Sequence, residues 1–213
     1  MNLVFDFGAV LFDWQPEQLC QRLFPDRAAT PAAAHALAQA LFRHPDWLAF
    51  DQGLLTLDEI EARSVARLHL PAAAVHTLMH GIGDWLAPLP ESVALLQRLL
   101  QLRASGAAVA GQPLRLYYLS NMPEPYVHTL RARHACIGAF DGGLFSSAVQ
   151  LIKPDPALFA RLEQCYALVA AHCVLIDDQG ANVAAAQAHG WRGIRFTSAA
   201  QVAQALLALG LPL

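Results

Sequence analysis

Short apolar runs separated by longer amphipathic stretches constrain the fold of this chain more than any other feature of its sequence. Most of the runs are rich in branched or aromatic residues, which is typical of strands that are buried on both faces. The alternation predicts an α/β fold, namely a Rossmann-like, doubly wound parallel sheet with helices on both faces. The short runs are LVFDF (3–7), LRLYYLS (114–120), GGLFSSA (142–148), CVLIDD (173–178) and IRF (194–196), and helical spacing of apolar residues occurs over 92–103, 156–168, 181–190 and 198–210.

The segment 15–88 follows a different pattern. It is rich in Ala, Leu and His, repeats apolar residues at i, i+3 and i+4, and contains no strand candidate. Thr56 lies three residues before a glutamate, which is the spacing of a helix-capping box. We therefore expect an all-helical cap domain at 15–88, inserted into an α/β core domain made of residues 1–14 and 89–213. Residues 104–113 are expected to form a Gly/Ala-rich surface loop.

The composition excludes several classes of function. Apolar residues make up 55% of the chain and charged residues 15%, so the material for a buried core is ample. The net charge of −3 and the lack of a Lys/Arg cluster argue against a nucleic-acid partner. No apolar run reaches the roughly 18 residues that cross a membrane. The first residues also do not resemble a secretory signal. We therefore expect a cytoplasmic monomer or homodimer that contacts neither nucleic acid nor membrane.

Polar residues follow four of these segments at positions that belong to one edge of the predicted sheet. Asp6 ends the first strand, and Ser120-Asn121 ends the second. Lys153 lies in a loop before a predicted helix, and Asp177-Asp178 ends a later strand. Open parallel sheets bind their ligands at the carboxyl ends of the strands. Each feature alone is also typical of a helix cap or turn, but together they favour a catalytic site.

This set of side chains suits phosphoryl transfer. A carboxylate such as Asp6 can attack phosphorus and form an acyl phosphate, which divides one difficult hydrolysis into two easier steps. A small hydroxyl, an amide and backbone N–H groups near a helix N-terminus can hold phosphate oxygens. The ammonium of Lys153 can neutralise charge on the nucleophile and the phosphoryl group. Paired carboxylates offer the hard oxygen ligands that Mg²⁺ prefers.

These motifs resemble those of the haloacid dehalogenase (HAD) superfamily of hydrolases over essentially the whole chain. FDFGAVLFDW, YYLSN, KPD and IDDQGAN are similar to its first to fourth motifs, and the helical insertion is similar to its C1-type cap. Within the superfamily, FDQGLLTLDEIEAR and the spacing of the motifs look closest to sugar-phosphate phosphatases of the α-D-glucose-1-phosphate type. They also resemble the phosphatase domain of soluble epoxide hydrolases. The resemblance implies a phosphatase that acts on a small phosphorylated metabolite.

The resemblance also assigns roles to the residues at the sheet edge. It implies that Asp6 is the nucleophile and that Lys153 assists catalysis. Ser120, Asn121 and Lys153 would bind the phosphate group. The same resemblance implies a Mg²⁺ cofactor.

The expected metal ligands come from the first and fourth motifs. Asp6, Asp178 and the backbone oxygen of Gly8 would hold the ion, and Asp177 would support its water shell. Asn182 would lie behind these ligands and orient them.

Gly8 departs from the usual first motif, in which a second aspartate protonates the leaving oxygen and then activates water. Such a group typically contributes about 10²–10⁴-fold to the rate. Three hypotheses remain open. The protein is a phosphatase whose protons are handled by metal-bound water, by a cap residue or by Asp13. Alternatively it is a metal-independent 2-haloacid dehalogenase, or it binds a phosphorylated metabolite with weak or no turnover.

The cap is expected to select the substrate, because the four motifs contact only phosphate, nucleophile and metal. The residues expected nearest the leaving group are Trp14, Trp47, Phe50, Gln52 and Leu54. Of these we favour Gln52, which precedes a glycine in a loop between helices and suits a substrate-facing turn. Three acidic residues are expected to be solvated or to cap helices, namely Asp46, Asp51 and Glu59.

Overall fold

A five-stranded parallel sheet forms the centre of the structure, a computed structural model that describes residues 1–213. The sheet order is β5-β4-β1-β6-β7, while β2 and β3 form a separate antiparallel hairpin. In chain order the strands are β1 (Asn2–Phe5), β2 (Ala108–Val109), β3 (Gln112–Pro113), β4 (Arg115–Ser120), β5 (Gly142–Phe145), β6 (Cys173–Asp177) and β7 (Arg192–Arg195). The predicted doubly wound α/β fold is confirmed.

The central position of β1 explains its apolar sequence. Leu3, Val4 and Phe5 are all buried, because β1 pairs in parallel with β4 on one side and β6 on the other. Phe5 lies in register with both Tyr118 and Ile176. The carboxyl ends of these three strands therefore meet at one edge, which brings together the polar residues that follow them.

Eleven α-helices surround the sheet, and the first five lie between β1 and the sixth. We refer to these five helices, residues 16–85, as the helical cap. The predicted capping box is present at the start of the fourth helix, where Glu59 N donates to Thr56 Oγ1 and Thr56 N donates to the Glu59 carboxylate. The helices are α1 (Pro16–Leu23), α2 (Pro31–Phe42), α3 (Pro45–Asp51), α4 (Leu57–Leu68), α5 (Ala72–Trp85), α6 (Pro90–Ala104), α7 (Glu124–Arg133), α8 (Ser146–Val149), α9 (Pro156–Tyr166), α10 (Gly180–Ala188) and α11 (Ala199–Ala208).

Two short segments differ from the sequence predictions. The stretch 104–113 is not a plain loop, because it contains the β2–β3 hairpin, in which Val109 pairs with Gln112. Gly111 has a φ of +76° within that turn, a conformation that glycine adopts without strain. The strand predicted over 142–148 ends at Phe145, and the next four residues form the one-turn helix α8.

The helical cap shares its apolar core with one face of the sheet. A single cluster of 43 buried residues extends from β1 residues such as Phe5 to cap residues such as Trp47 and Ile60. A smaller cluster of 10 buried residues fills the opposite face of the sheet, beneath α9 and α10. The cap is therefore packed onto the sheet through apolar contacts. None of the helices combines the length and apolar character that crossing a membrane requires.

Candidate active site

Asp6 is fixed at the carboxyl end of the central strand. Its backbone N–H donates to Ile176 O at 2.9 Å, and its Oδ1 accepts from Phe7 N at 2.7 Å. The carbonyl of Phe7 accepts three backbone hydrogen bonds, which folds the following residues into a tight loop. The Asp6 side chain is 8% exposed and lines a cavity between sheet and cap. The carboxylate is thus positioned by backbone groups on either side of the strand end.

The ammonium of Lys153 lies between two buried carboxylates. Lys153 Nζ is 3.0 Å from Asp6 Oδ1 and 2.6 Å from Asp177 Oδ2, and the residue is 3% exposed. Burial acts to lower the pKa of Lys153, but the neighbouring Asp6 and Asp177 carboxylates outweigh it and leave the pKa raised. Lys153 is therefore positively charged at neutral pH, beside the predicted nucleophile.

The side chain of Asn121 holds the Lys153 loop in place. Asn121 Nδ2 donates to Lys153 O at 3.0 Å, and Lys153 N donates to Asn121 Oδ1 at 2.8 Å. The peptide bond between Lys153 and Pro154 is cis. Because both polar atoms of its side chain are engaged, Asn121 can offer its backbone N–H to a ligand more readily than its amide. Ser120 is buried at the cavity, and its hydroxyl makes no hydrogen bond within the chain.

Asp177 is held by a dense set of donors. Its Oδ1 accepts from Gln179 N at 2.8 Å, and both its oxygens accept from Asn182 Nδ2 at 3.0 Å. Together with the bond from Lys153, these contacts engage both carboxylate oxygens. Asp177 therefore orients its neighbours, whereas Asp178 is half-buried and accepts one hydrogen bond from the Gln179 side chain.

The residues at this edge fit a divalent cation. Carboxylate oxygens of Asp6, Asp177 and Asp178 all lie within 4.8 Å of one another. Gly8 lines the same cavity, and its carbonyl accepts no hydrogen bond within the chain. Such a set of hard oxygen donors suits Mg²⁺. Burial, followed by the nearby carboxylates, raises the pKa of Asp6 to about 7 despite the opposing charge of Lys153, and a bound cation would offset that repulsion.

The cavity above these residues has a volume of 550 Å³. Part of its wall comes from the helical cap, where aromatic side chains lie close to Trp14. Trp14 stacks near Trp47 at a centroid distance of 6.5 Å, and Phe42 meets Trp47 edge-on at 4.7 Å. Further apolar lining is supplied by Ala38, Leu48, Ile82, Leu86, Met122 and Tyr126. The size falls within the usual range of small-molecule sites, about 300–1,000 Å³.

Only some of the residues that were expected near the leaving group lie at the cavity. Trp14 and Trp47 line the cavity, but Phe50 is packed in the core and Leu54 is 53% exposed. The structure does not place Gln52 at the cavity, in contrast to the expectation that it faces the substrate. Gln52 does not line the cavity, and its Nε2 donates to Gln150 O at 3.1 Å. The reason is that α3 ends at the preceding residue, and the chain then turns towards α8.

Asp51 is the cavity residue that sequence reasoning missed. It was expected to be solvated or to cap a helix, but it is 8% exposed and lines the cavity. Burial first, and then the charge of Asp6, raise the pKa of Asp51 to about 8. A signal was present in α3, because Trp47 precedes Asp51 by four residues and therefore lies on the same helix face. An acid on the same face as a buried aromatic residue is expected to be buried with it.

A second cluster of potential metal ligands lies on the cap surface. Glu61 Oε2 is 3.1 Å from His76 Nδ1 and 3.4 Å from His80 Nε2. Both histidines are exposed, and none of the three residues lines the cavity. This cluster is therefore not part of the candidate active site.

Comparison with known proteins shows what the whole chain is similar to. No protein-family model matches the chain. The sesquiterpene phosphatase astK of Aspergillus oryzae is 27% identical over 195 residues, which cover 91% of this chain and 88% of that protein. The drimenol cyclase drtB of Aspergillus calidoustus is 28% identical over 196 residues, but the chain spans only 33% of that protein.

Solved structures resemble this one over most of its length. The HAD family enzyme bt-2542 of Bacteroides thetaiotaomicron, in complex with magnesium and inorganic phosphate, is similar with a TM-score of 0.66 at 18% identity, covering 91% of this chain and 92% of that one. The L-2-haloacid dehalogenase of Xanthobacter autotrophicus has a TM-score of 0.65 at 21% identity, covering 97% and 82%. These structures confirm the fold that the resemblance implies, and the phosphatase of Aspergillus oryzae supports the prediction of a hydrolase.

Replacing Asp51 with asparagine tests the environment of this buried acid. Because the folded protein raises the pKa of Asp51 from 3.8 to about 8, the folded state binds more protons than the unfolded state between these values. The contribution of Asp51 to stability is thus present at low pH and is lost as the pH rises towards the folded pKa. We expect the Tm of Asp51→Asn, relative to wild type, to increase from about pH 4 to about pH 8 and then to level off.

Calorimetric unfolding in the presence of EDTA measures this difference without interference from bound cations. The matched control is Asp58→Asn, since Asp58 is an exposed acid of the same cap. Its Tm difference from wild type should be nearly independent of pH. A pH-independent difference for Asp51→Asn would show that Asp51 is ionised and solvated in the folded protein.

Proposed function

Because this chain has the HAD superfamily fold and carries four motifs that resemble those of its hydrolases, we propose that it is a Mg²⁺-dependent phosphatase. It hydrolyses a small phosphomonoester through an aspartyl-phosphate intermediate on Asp6. The observation that carries the proposal is the contact of 3.0 Å between Lys153 Nζ and the Asp6 carboxylate at the floor of the cavity. A buried carboxylate paired with a fixed ammonium is arranged to approach an anionic phosphate.

The two oxygens of Asp6 are not equivalent. Oδ1 accepts from Phe7 N and contacts Lys153 Nζ, whereas Oδ2 has no hydrogen-bond partner within the chain. Oδ2 is therefore the atom that attacks phosphorus. Its bond to phosphorus forms as the bond from phosphorus to the ester oxygen breaks. Water then attacks the phosphorus of the aspartyl phosphate, which releases inorganic phosphate and restores the carboxylate.

The phosphate group is held by residues that follow β4 and precede α9. The Ser120 hydroxyl and the backbone N–H of Asn121 are free to donate to phosphate oxygens, and Lys153 neutralises part of the charge. The Asn121 side chain contributes indirectly, because it fixes the backbone of Lys153. The phosphate is therefore bound by groups whose positions are set before the substrate arrives.

Mg²⁺ would be held by Asp6, Asp178 and the carbonyl of Gly8. The ion supplies positive charge that offsets repulsion between a carboxylate nucleophile and an anionic phosphate. Asp177 remains with Lys153 and Asn182, so it orients the cluster from behind. The match to a structure that contains magnesium and inorganic phosphate supports the same cofactor.

The cavity wall favours an apolar organic group over a sugar. The space above Asp6 is bordered by Phe42 and Trp47 of the cap and by Trp14, which directly precedes it. The polar residues that the cap adds to the lining are Glu17, Gln39, Arg43 and Asp51, of which Glu17 contacts His35 and Arg43 donates to Gln179 Oε1 at 2.9 Å. A sugar would leave several hydroxyls without partners, which is costly in a closed site. The curated relative that acts as a sesquiterpene phosphatase supports a terpenyl or similar monophosphate as substrate.

The proposed nucleophile and cofactor are tested by phosphate release. We expect the wild type to hydrolyse farnesyl monophosphate in the presence of Mg²⁺. Phosphate release should stop when EDTA removes the ion. Asp6→Asn should lower kcat by at least about 10³-fold, because it removes the attacking group. The control Asp58→Asn changes an exposed acid outside the cavity and should keep wild-type rates.

Two outcomes would replace this proposal with its alternatives. Release of halide from 2-haloacids, unaffected by EDTA, would identify a dehalogenase. Thermal stabilisation by inorganic phosphate without any turnover would identify a binding protein. The presence of Asp178 within reach of Asp6 favours a metal site and hence the phosphatase.

The preference for an apolar substrate is tested by comparing kcat/KM for farnesyl monophosphate and glucose 1-phosphate. We expect the isoprenoid ester to be the better substrate. Trp14→Ala should lower its kcat/KM by about tenfold or more, because loss of an aromatic contact costs about 1.5–3 kcal/mol. Trp85→Ala is the matched control, since Trp85 lies outside this cavity beneath Arg22. A higher kcat/KM for glucose 1-phosphate would restore the sugar-phosphate interpretation.

A further inference from the structure

The reaction proposed above lacks an obvious proton donor. When the bond from phosphorus to the ester oxygen breaks, an alkoxide of an unactivated alcohol needs a proton in the transition state. Gly8 occupies the position where the resembling family carries an aspartate, and it has no side chain to supply that proton. Assigning an acid/base group to this chain rests on the proposed phosphatase function and extends it.

The candidates for this acid/base group are the carboxyl groups that line the cavity, together with Asp13. Asp6 is the proposed nucleophile, and Asp178 belongs to the proposed metal site. Glu17 is engaged with His35 at 3.1 Å near the surface. Asp13, a candidate from the sequence, does not line this cavity and accepts from Gln15 Nε2 at 2.8 Å. The remaining carboxyl group in the lining is that of Asp51.

Asp51 is held in place by the core although it belongs to the cap. The Ser146 hydroxyl donates to the carbonyl of Asp51, and Met122 N donates to Ser146 Oγ at 2.8 Å. The following turn is packed tightly, because a Cβ at Gly53 would lie 2.8 Å from Ser147 O. Gly53 also has a φ of +74°, which a side chain would strain. The end of α3 is therefore fastened to α8, and Asp51 reaches the cavity from a defined position.

The surroundings of Asp51 favour its neutral form. Burial is the larger cause of the raised pKa, and the negative charge of Asp6 adds to it. The Trp47 side chain, Arg43 and Lys153 act in the opposite direction. The resulting pKa of about 8 leaves Asp51 mostly protonated at neutral pH, as a group that must donate a proton requires.

We propose that Asp51 is the acid/base group of this phosphatase and replaces, from the cap, the carboxyl group that Gly8 cannot provide. In the first step the Asp51 carboxyl gives its proton to the ester oxygen as the bond to phosphorus breaks, so that the alcohol leaves neutral. In the second step the Asp51 carboxylate takes a proton from the water that attacks the aspartyl phosphate. At the end of the second step Asp51 is protonated again and Asp6 is again a free carboxylate.

This location makes catalysis depend on the closed cap. Asp6 and Lys153 belong to the sheet edge, while Asp51 belongs to α3 of the cap. The complete set exists only when the cap contacts the core, as it does through Arg43 with Gln179 and Gln52 with Gln150. Proton transfer is thereby restricted to the state in which the cavity is covered.

The space around Gly8 allows a rescue experiment, in which an aspartate is introduced at this position. A Cβ there would lie 3.8 Å from Trp14 Cβ and 3.9 Å from Trp14 Cγ, which is ordinary van der Waals contact. The backbone at Gly8 is not in the left-handed region. A carboxyl group can therefore be placed two residues after the nucleophile by Gly8→Asp, in the presence or absence of Asp51.

The test compares two substrates with different leaving groups. With farnesyl monophosphate, whose alkoxide needs a proton, Asp51→Asn should lower kcat by about 10²–10⁴-fold. With p-nitrophenyl phosphate, whose leaving group needs none, the variant should still release a burst of p-nitrophenol equivalent to the enzyme concentration and then turn over slowly. The alkaline limb of the wild-type pH–rate profile should be absent from the variant. The double variant Gly8→Asp/Asp51→Asn should recover at least about tenfold in kcat on farnesyl monophosphate.

The outcomes separate this proposal from the one on which it rests. Equal kcat values for wild type and Asp51→Asn on farnesyl monophosphate would overturn the role of Asp51 and leave the phosphatase intact. Equal losses on both substrates, with no burst and no rescue by Gly8→Asp, would show that Asp51 only supports the structure. No phosphate release by the wild type would overturn the proposed function itself. Thermal unfolding confirms that each variant is folded before its rates are compared.

Discussion

A buried ammonium between two carboxylates is the interaction on which the rest of the site depends. Lys153 Nζ lies within 3.0 Å of Asp6 and 2.6 Å of Asp177, and all three residues are buried. Removing such charges from water is costly unless they are paired and hydrogen-bonded. Here the cost is offset because Asn182 engages Asp177 and Asn121 fixes the Lys153 backbone. The cluster therefore joins β1, β6 and the loop before α9 into one pre-organised unit.

The aromatic wall above this cluster serves packing and recognition together. Trp47 belongs to the same apolar core as the sheet and also lines the cavity. A cap built in this way is stabilised by burial of apolar surface, and the part left facing the cavity is apolar for the same reason. The proposed preference for an isoprenoid ester is thus a consequence of how the cap is held together.

In the proposed mechanism, the groups that bind and attack the phosphate belong to the core, and the group that transfers the proton belongs to the cap. Several hydrogen bonds cross the boundary, among them those from Arg43 to Gln179, from Gln52 to Gln150 and from Ser146 to Asp51. Gln179 also donates to Asp178, so one link reaches a proposed metal ligand. Movement of the cap would consequently change the surroundings of both the metal ligands and the acid/base group.

The sequence by itself determined the parallel sheet and the meeting of Asp6, Lys153 and Asp178 at its edge. It could do so because apolar periodicity is local and because parallel strands all end on one side. Only the tertiary structure decided that Asp51 faces the cavity and that Gln52 does not. These orientations depend on how α3 packs against α8, about 95 residues later in the chain, as the hydrogen bond from Ser146 to Asp51 shows. Local patterns do not encode such packing, since burial of a cap side chain depends on surfaces supplied by distant segments.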